Sequence, residues 1–554
     1  MKRILMVAAE NGALTGAKVG GMADVIRDLP PALAGVDLCV DVIMPSYGFL
    51  TSPTAQALGE FEVAFGGRLE RVKLVVIHHP RVDGAKIYLL EHGLWQSTLG
   101  KIYSQGSAER PFADDATKFA LLCASVAKAL VTGLIPMPQV LHLHDWHAGC
   151  LAMLRAFAPE YSALKTIGCV FSIHNLALQG IRPLSQDASS LAAWFPELFA
   201  ALSDEQRQLI VDPRYPHCIN PMRMGIVLSD RVHLVSPSYA KEVLLPSDLA
   251  AGFFGGEGLE QDLKLKAAEA KVIGILNGCN YSDINPNLSP SSNLNPSPSS
   301  QKVQPATPQL QRIQLDEFKT LLTTIEAALV EWQGTQTQVS GVDMIAFART
   351  QAHWRHALVG EVPSFLMTSV GRLTDQKVLI LRQPLPSGLS VLETLLKQLQ
   401  QTQPRALFIL LGSGDAGIAQ FFQSLAAKYA NFLFLQGYHE SLSECLYQCG
   451  DLFIMPSSFE PCGISQMLAM RAGQPCLVHG VGGLKDTVHD GIDGFVFNGN
   501  GLTEQGEGFL HRLEEAIDCF NSENWSEIRT NARAKRFDWS QIARLYQQQL
   551  YDNL

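Results

Sequence analysis

The chain has no apolar run of about 18 residues, the length needed to cross a bilayer, so its sequence predicts no membrane-spanning segment. It has no excess of positive charge either. With 43 Lys and Arg against 53 Asp and Glu, its formal net charge is -10, which argues against broad binding of a nucleic-acid backbone. Any anionic ligand must then be held by local positive groups. No CxxC pair occurs, and the eleven cysteines are an odd, scattered set. That argues against a disulfide framework or a structural zinc site and favours a reduced, cytoplasmic setting. Lys2 and Arg3 precede an apolar run too short for a signal peptide. What remains is a soluble globular composition, 47% hydrophobic and 17% charged, in a 554-residue chain too long for one core.

Over residues 1–284 short apolar runs alternate with longer helical patterns, which predicts βαβ units and a mainly parallel sheet. Strands are expected at Arg3–Ala9, Asp41–Met44, Leu74–His78, Ile87–Glu91, Val140–His144, Thr166–Ile173, Arg231–Val235 and Lys271–Leu276. Residues 285–307 turn to Asn, Ser and Pro and carry almost no large apolar group, so they read as a flexible surface insertion. Residues 308–362 read as a helical connector, with Phe318, Leu321, Leu322, Ile325, Leu329 and Trp332 at helical spacing. A second α/β pattern fills 363–535, with strands expected at Phe365–Val370, Ala406–Leu411, Phe432–Gln436, Leu452–Met455 and Pro475–Val478. The last stretch, 536–554, reads as a helix. Two doubly wound domains would leave a cleft at the carboxyl ends of their strands, where ligands usually bind.

Several segments at those strand ends could carry chemistry. Lys18-Val19-Gly20-Gly21 follows the first strand and precedes a helix. Paired glycines let a backbone come close to a ligand, a helix start offers N–H groups to an anion, and the lysine adds charge. The spacing is neither a dinucleotide fingerprint nor a Walker A loop. His142, His144, Asp145 and His147 end another strand; a metal site, contacts to a hydroxylated ligand and buried structural histidines all fit them. His174-Asn175 repeats the pattern with donors and acceptors suited to sugar hydroxyls. Arg372 and Lys377, five apart across a strand-to-helix turn, pair a guanidinium fork with a point charge, a combination suited to a diphosphate. Gly412-Ser413-Gly414-Asp415 is another tight turn. Glu460 stands alone between Phe459 and Pro461, where a carboxylate could meet hydroxyls or developing positive charge. Gly482-Gly483 offers glycine N–H groups before a helix.

As a set these motifs resemble glycosyltransferase family five, the bacterial glycogen synthases and plant starch synthases. KVGGMADV, HLHDWHAG, FSIHNLALQG, VSPSYAKEV, GILNG, GRLTDQK, LLGSGD, PSSFEPCGISQMLAMRAGQP, GGLKDTV and DGIDGFVF occur in the family's order, outside about residues 285–360. The resemblance implies the GT-B fold: two Rossmann-like domains and a C-terminal helix crossing back to the first. It also implies a hexosyltransferase of glycogen or starch biosynthesis that moves glucose from ADP-glucose to the non-reducing end of an α-1,4-glucan, with retention and without metal or cofactor. On that basis Lys18, Gly20 and Gly21 would lie by the phosphates and the acceptor side. Arg372 and Lys377 would stabilise the leaving diphosphate. Asp145 and His174, with Asn175, would lie at the glucosyl group. Glu460 would bind its hydroxyls and steady an oxocarbenium-like transition state. Asn277 would sit at the sugar pocket, and Cys462, Gly463, Gly482 and Gly483 would line the donor site.

The chain departs from the family pattern at three places. Asn280 stands where NGxD has Asp, Val378 where the Lys of RLxxQKG is followed by Gly, and Val478-His479-Gly480-Val481 where the family is often arginine-rich. Two other readings follow: a related transferase using UDP-glucose or another acceptor, and a catalytically silent glucan-binding paralogue. Neither a nucleic-acid nor a membrane partner is expected.

Overall fold

The computed structural model describes residues 1–50, 54–96, 101–104, 112–281 and 313–554. The Asn/Ser/Pro stretch 285–307 lies outside them. The described chain forms two units. Met1–Ser247, Phe254–Asn280 and Phe537–Leu554 make the first; Asp248–Phe253 and Tyr281–Arg536 make the second.

In the first unit the strands in chain order are β1 Lys2–Val7, β2 Leu38–Pro45, β3 Gln56–Phe65, β4 Arg68–His78, β5 Lys86–Glu91, β6 Val140–His144, β7 Gly168–Ile173, β8 Arg182–Pro183, β9 Cys218–Ile219, β10 Arg231–Leu234 and β11 Val272–Gly274. Nine of them form one sheet in the order β11-β10-β7-β6-β1-β2-β5-β4-β3, while β8 and β9 pair separately. From β11 to β5 every neighbour is parallel. The central strands are apolar runs because both faces of a parallel sheet are covered; Ile4, Leu5, Met6 and Val7 are all buried. On one such cover, helix Asp145–Phe157 packs against helices Ala113–Val131 and Pro221–Leu228. A Cβ at Gly149 would stand 1.9 Å from the Pro221 carbonyl oxygen, so this approach requires glycine.

The sequence reading places no strand between Met44 and Leu74, and there the structure differs. β3 and β4 form an antiparallel hairpin, turned at Gly66 and Gly67 with φ of 64° and 71°. Only Phe61, Val63 and Phe65 of β3 show an alternating buried pattern; residues 56–58 and Glu60 are exposed and hide the signal.

In the second unit β12 Leu366–Val370, β13 Leu407–Gly412, β14 Phe432–Gln436, β15 Leu452–Met455, β16 Cys476–His479 and β17 Gly494–Phe497 form one parallel sheet in the order β14-β13-β12-β15-β16-β17. β17, four residues inside the DGIDGFVF run, is the strand that the sequence reading leaves out. Residues 309–358, read as one helical stretch, contain two helices, Leu315–Gly334 and Gly341–Leu358. The Ser340 hydroxyl accepts from Asp343 N–H at 3.4 Å and starts the second. Phe318, Leu321, Leu322, Ile325 and Leu329 pack with Leu407, Ile409 and Leu433, so these helices cover a face of the second sheet. The chain ends in helix Trp539–Leu545 and a π-helical turn, Tyr546–Tyr551, within the first unit. Among the described residues no helix is long and apolar enough to cross a membrane. All eleven cysteines are free.

Candidate active site

In each sheet the order of the parallel strands reverses at one point, and most of the residues singled out from sequence follow the strands beside it. In the first sheet the reversal lies between β1 and β6. The loop after β1 carries Lys18, Gly20 and Gly21; Asp145 follows β6, His174 and Asn175 follow β7, and Asn277 follows β11. The parallel strands put all of them at one edge of the sheet.

The loop after β1 corrects one expectation. Gly20 N–H, at the helix start expected to face an anion, donates to Glu10 Oε2 at 2.6 Å, and Val19 N–H donates to the same oxygen at 2.8 Å. Glu10 is 4% exposed, and its other oxygen accepts from the Tyr103 hydroxyl at 2.6 Å. The chain thus supplies its own anion at this helix start. Lys18 is half-exposed and pairs with Asp24 at 2.8 Å. Sequence reasoning missed Glu10, although a carboxylate closing an apolar strand before a glycine-rich turn was a signal.

Asp145 begins its helix at φ 54°, a left-handed conformation uncommon outside glycine. Its Oδ1 accepts from His174 N–H at 2.7 Å and Asn175 N–H at 3.4 Å, clamping the end of β7 to the end of β6. Burial pushes its carboxyl up to about 7 against the pull of those two N–H groups. His144 Nδ1 and His174 Nε2 lie 3.0 Å apart. Burial first, and the His233 ring second, hold His174 down at about 3, although part of its ring still meets solvent. Asn277 is 4% exposed, and its Oδ1 has no partner among the described residues. Among those residues no group of three or more His, Cys, Asp or Glu is placed to hold a metal ion. His142 and His144 are buried, hydrogen-bonded and stacked on each other, and the buried His147 ring stacks on Trp146.

In the second sheet the order reverses between β12 and β15. Arg372, just past β12, is exposed, and its side chain has no hydrogen bond or ion pair among the described residues. Its loop is tied to the next turn by Leu373 N–H to Ser413 O at 2.8 Å and Asp415 N–H to Leu373 O at 2.9 Å. Asp415 itself caps helix Ala416–Lys428 through Ile418 N–H at 2.9 Å. Lys377 lies in helix Asp375–Arg382, and its Nζ forms an ion pair with Glu460 Oε2 after β15. The Ser457 hydroxyl donates to the same oxygen at 3.1 Å, and Gln376 Nε2 donates to Phe459 O at 3.0 Å. Cation and carboxylate, read from sequence as separate ligand contacts, are therefore one partly buried pair across the reversal point.

Gly483 corrects a second expectation. Its N–H donates to Glu460 O at 3.0 Å and fixes the Glu460 backbone. A Cβ there would stand 2.2 Å from the carbonyl oxygen of Cys462. Gly483→Ala is expected to cost about 1–3 kcal/mol of stability, read as a lowered unfolding midpoint in denaturant; an unchanged midpoint would refute the close contact. Gly463 takes φ 76°, and Cys462 is buried beside it. Two of the three departures fall in this unit: Val378 is buried in its core, and His479 donates from Nδ1 to Ser457 O at 3.0 Å; Asn280 belongs to the first unit.

The two reversal points thus display different chemistry. One offers a clamped carboxylate, imidazole and amides suited to hydroxyls. The other offers a guanidinium, an ammonium and a paired carboxylate suited to a diphosphate and a sugar. Known proteins resemble this sequence. Residues 3–265 match the starch synthase catalytic domain model, and residues 383–514 match that of glycosyl transferases group 1. The chain is 32% identical to a glycogen synthase of Gloeobacter violaceus over 560 residues, covering 98% of this chain and 97% of that one. It is 31% identical to a glycogen synthase of Variovorax paradoxus, again over 98% and 97%. The chain belongs to the glycogen synthase family. It is a glycosyltransferase that elongates glucan. Among solved structures, the catalytic domain of starch synthase IV from Arabidopsis thaliana, bound to ADP and acarbose, matches with a TM-score of 0.69 at 24% identity. That match covers 99% of this chain and 98% of that one, and shows the shared two-unit α/β fold.

Proposed function

We propose that this chain is a retaining glucosyltransferase that moves glucose from ADP-glucose to the non-reducing end of an α-1,4-glucan such as glycogen, in the cytoplasm. The observation that carries the reading is the Lys377–Glu460 pair at the reversal point of the second sheet, beside an uncommitted Arg372. The starch synthase bound to ADP supports a nucleotide diphosphate donor. In this reading residues 363–535 take the nucleotide sugar and residues 1–284 serve the acceptor side.

Arg372 and Lys377 hold the diphosphate and stabilise the charge that grows on the departing oxygen. Glu460 binds sugar hydroxyls and steadies positive charge on the glucosyl ring, and Cys462, Gly463, Gly482 and Gly483 shape the wall beside it. Donor entry exchanges the Lys377–Glu460 contact for contacts to phosphate and sugar, which places a strong cation and a carboxylate where charge separates. Asp145, His174 and Asn175 contact the glucosyl group, with Asn277 and its unpartnered amide oxygen nearby. Lys18, Gly20 and Gly21 serve the phosphate and acceptor side. Glu10, by occupying the Val19 and Gly20 N–H groups, fixes the loop that presents Lys18.

The donor is tested by comparing kcat/KM for ADP-glucose and UDP-glucose with glycogen as acceptor. A clear preference for ADP-glucose is expected. A preference for UDP-glucose overturns the donor assignment and leaves the transferase family intact.

A further inference from the structure

A row of buried polar groups runs beneath the strand ends of the first unit, and its hydrogen bonds have one possible direction. His233 Nε2, on β10, lies 3.3 Å from the Ile275 carbonyl oxygen. A carbonyl only accepts, so Nε2 carries the proton and Nδ1 is bare. Nδ1 then accepts from the Ser172 hydroxyl of β7, 2.8 Å away. That uses the one proton of Ser172, so its oxygen accepts from His142 Nε2–H of β6 at 2.6 Å. His142 Nδ1 is left bare and accepts from the Tyr551 hydroxyl at 2.8 Å. One carbonyl thereby dictates the tautomer of two histidines, and the row of hydrogen bonds ends on Tyr551, in the turn that follows helix Trp539–Leu545. Ser172, His142 and His233 are fully buried, as is Tyr551.

The local backbone makes that ending possible. Asp552 N–H donates to Gln547 O at 2.8 Å, five residues back, in a π-helical turn. In an α-helix, residues five apart diverge by about 140°. The wider turn instead lets both tyrosines face the histidine row: Tyr546 meets His233 edge-on at 4.8 Å, and Tyr551 meets His142 edge-on at 5.7 Å.

The row reaches the proposed active site through stacking. The His142 ring lies on the His144 ring at 4.2 Å, with 29° between planes. His144 Nε2 has no partner among the described residues, so its ring is held by that stack and by its Nδ1 contact to His174 Nε2.

We propose that Tyr551 is a positioning residue: its hydroxyl, donating to the bare His142 Nδ1, fixes the orientation of the His142 ring, and through His144 the placement of His174. The inference rests on the role given to His174 above. It goes beyond that role by making the C-terminal turn part of the apparatus that sets the transfer geometry.

The test compares Tyr551→Phe with Gln547→Ala. Gln547 ties the same segment to the end of the first helix, through Nε2 to Val36 O at 3.3 Å, without belonging to the polar row. In protein labelled with 15N-histidine, His142 and His233 are expected to show the Nε2–H tautomer, assigned by comparison with His142→Gln and His233→Gln. Tyr551→Phe is expected to keep the Nε2–H tautomer that Ser172 imposes, to shift the His142 Nδ1 resonance as its hydrogen bond is lost, and to lower kcat about tenfold, as displaced catalytic groups do, with donor KM within twofold. Gln547→Ala is expected to leave the Nδ1 resonance unshifted and kcat within twofold. Equal losses in both variants would reduce Tyr551 to a strap residue and overturn the proposal, as would a Tyr551→Phe enzyme with normal kcat. His174→Ala separates the two levels: full activity in that variant defeats the role of His174, whatever Tyr551→Phe does to the Nδ1 resonance.

Discussion

Glu460→Ala is expected to lower glucosyl turnover by about a hundredfold or more, equivalent to roughly 2.7 kcal/mol or more of lost transition-state stabilisation. Glu460 is 5% exposed and occupies a site built for a charged oxygen: the Lys377 ammonium on one side, the Ser457 hydroxyl on the other, and Gly483 N–H holding its backbone. In the proposed role, alanine removes the carboxylate that would face a developing oxocarbenium ion; it also leaves Lys377 without its partner. An uncompensated, partly buried ammonium costs stability as well, so turnover is to be measured on folded enzyme at saturating donor and acceptor. Glu460→Gln separates charge from shape. It keeps the size and hydroxyl contacts but removes the negative charge, and is expected to lose most of the hundredfold. Near-normal kcat in both variants would remove Glu460 from the transition state.

The second large effect is a loss of stability in acid. His142, His144, His147 and His233 are all at least nine-tenths buried, and burial holds each below its ordinary value, His147 to about 3 and His233 to about 4. In the unfolded chain these rings titrate near 6.5. Their contribution is therefore fully present above pH 6.5 and falls as acid protonates the unfolded state first. From pH 8 to pH 5.5, four neutral histidines together lose about 6 kcal/mol. Asp145 acts in the opposite sense. Its folded carboxyl is raised to about 7, so over the same range the folded state takes up a proton that the unfolded chain does not, and returns about 2 kcal/mol. These five groups alone give a net loss of roughly 4 kcal/mol, a large part of a domain's usual stability, and His79, His174, His353 and His479, also held down by burial, add to it in the same direction. Denaturant midpoints of the protein at pH 8 and 5.5 read it directly; equal midpoints would mean that these histidines are not held neutral.

The sequence made some of this legible and hid the rest, for physical reasons. Parallel strands announce themselves because both faces are apolar, and Val140–His144, Phe432–Gln436 and Leu452–Met455 match their expected bounds. β3 is half exposed and β17 is four residues long, so neither gives a sustained pattern. Single strand-end motifs were visible, but which of their groups are already spent was not. That Glu10 holds the Val19 and Gly20 N–H groups, and that Glu460 O holds Gly483 N–H, depends on loop paths between elements. The pairing of Lys377 with Glu460, 83 positions apart, depends on β12 and β15 lying side by side, which no local spacing encodes. Tyr551 was seen only as part of a final apolar helix; its contact to His142 spans 409 positions and requires a π-helical turn.

The central claim is that these residues serve elongation of an α-1,4-glucan from a nucleotide glucose. It is tested most directly by incubating the wild-type enzyme with ADP-glucose labelled in the sugar and with glycogen, and then digesting the washed polymer with β-amylase. Label is expected in the polymer, released as maltose from non-reducing ends. Polymer without label, from ADP-glucose and from UDP-glucose alike, would contradict the claim.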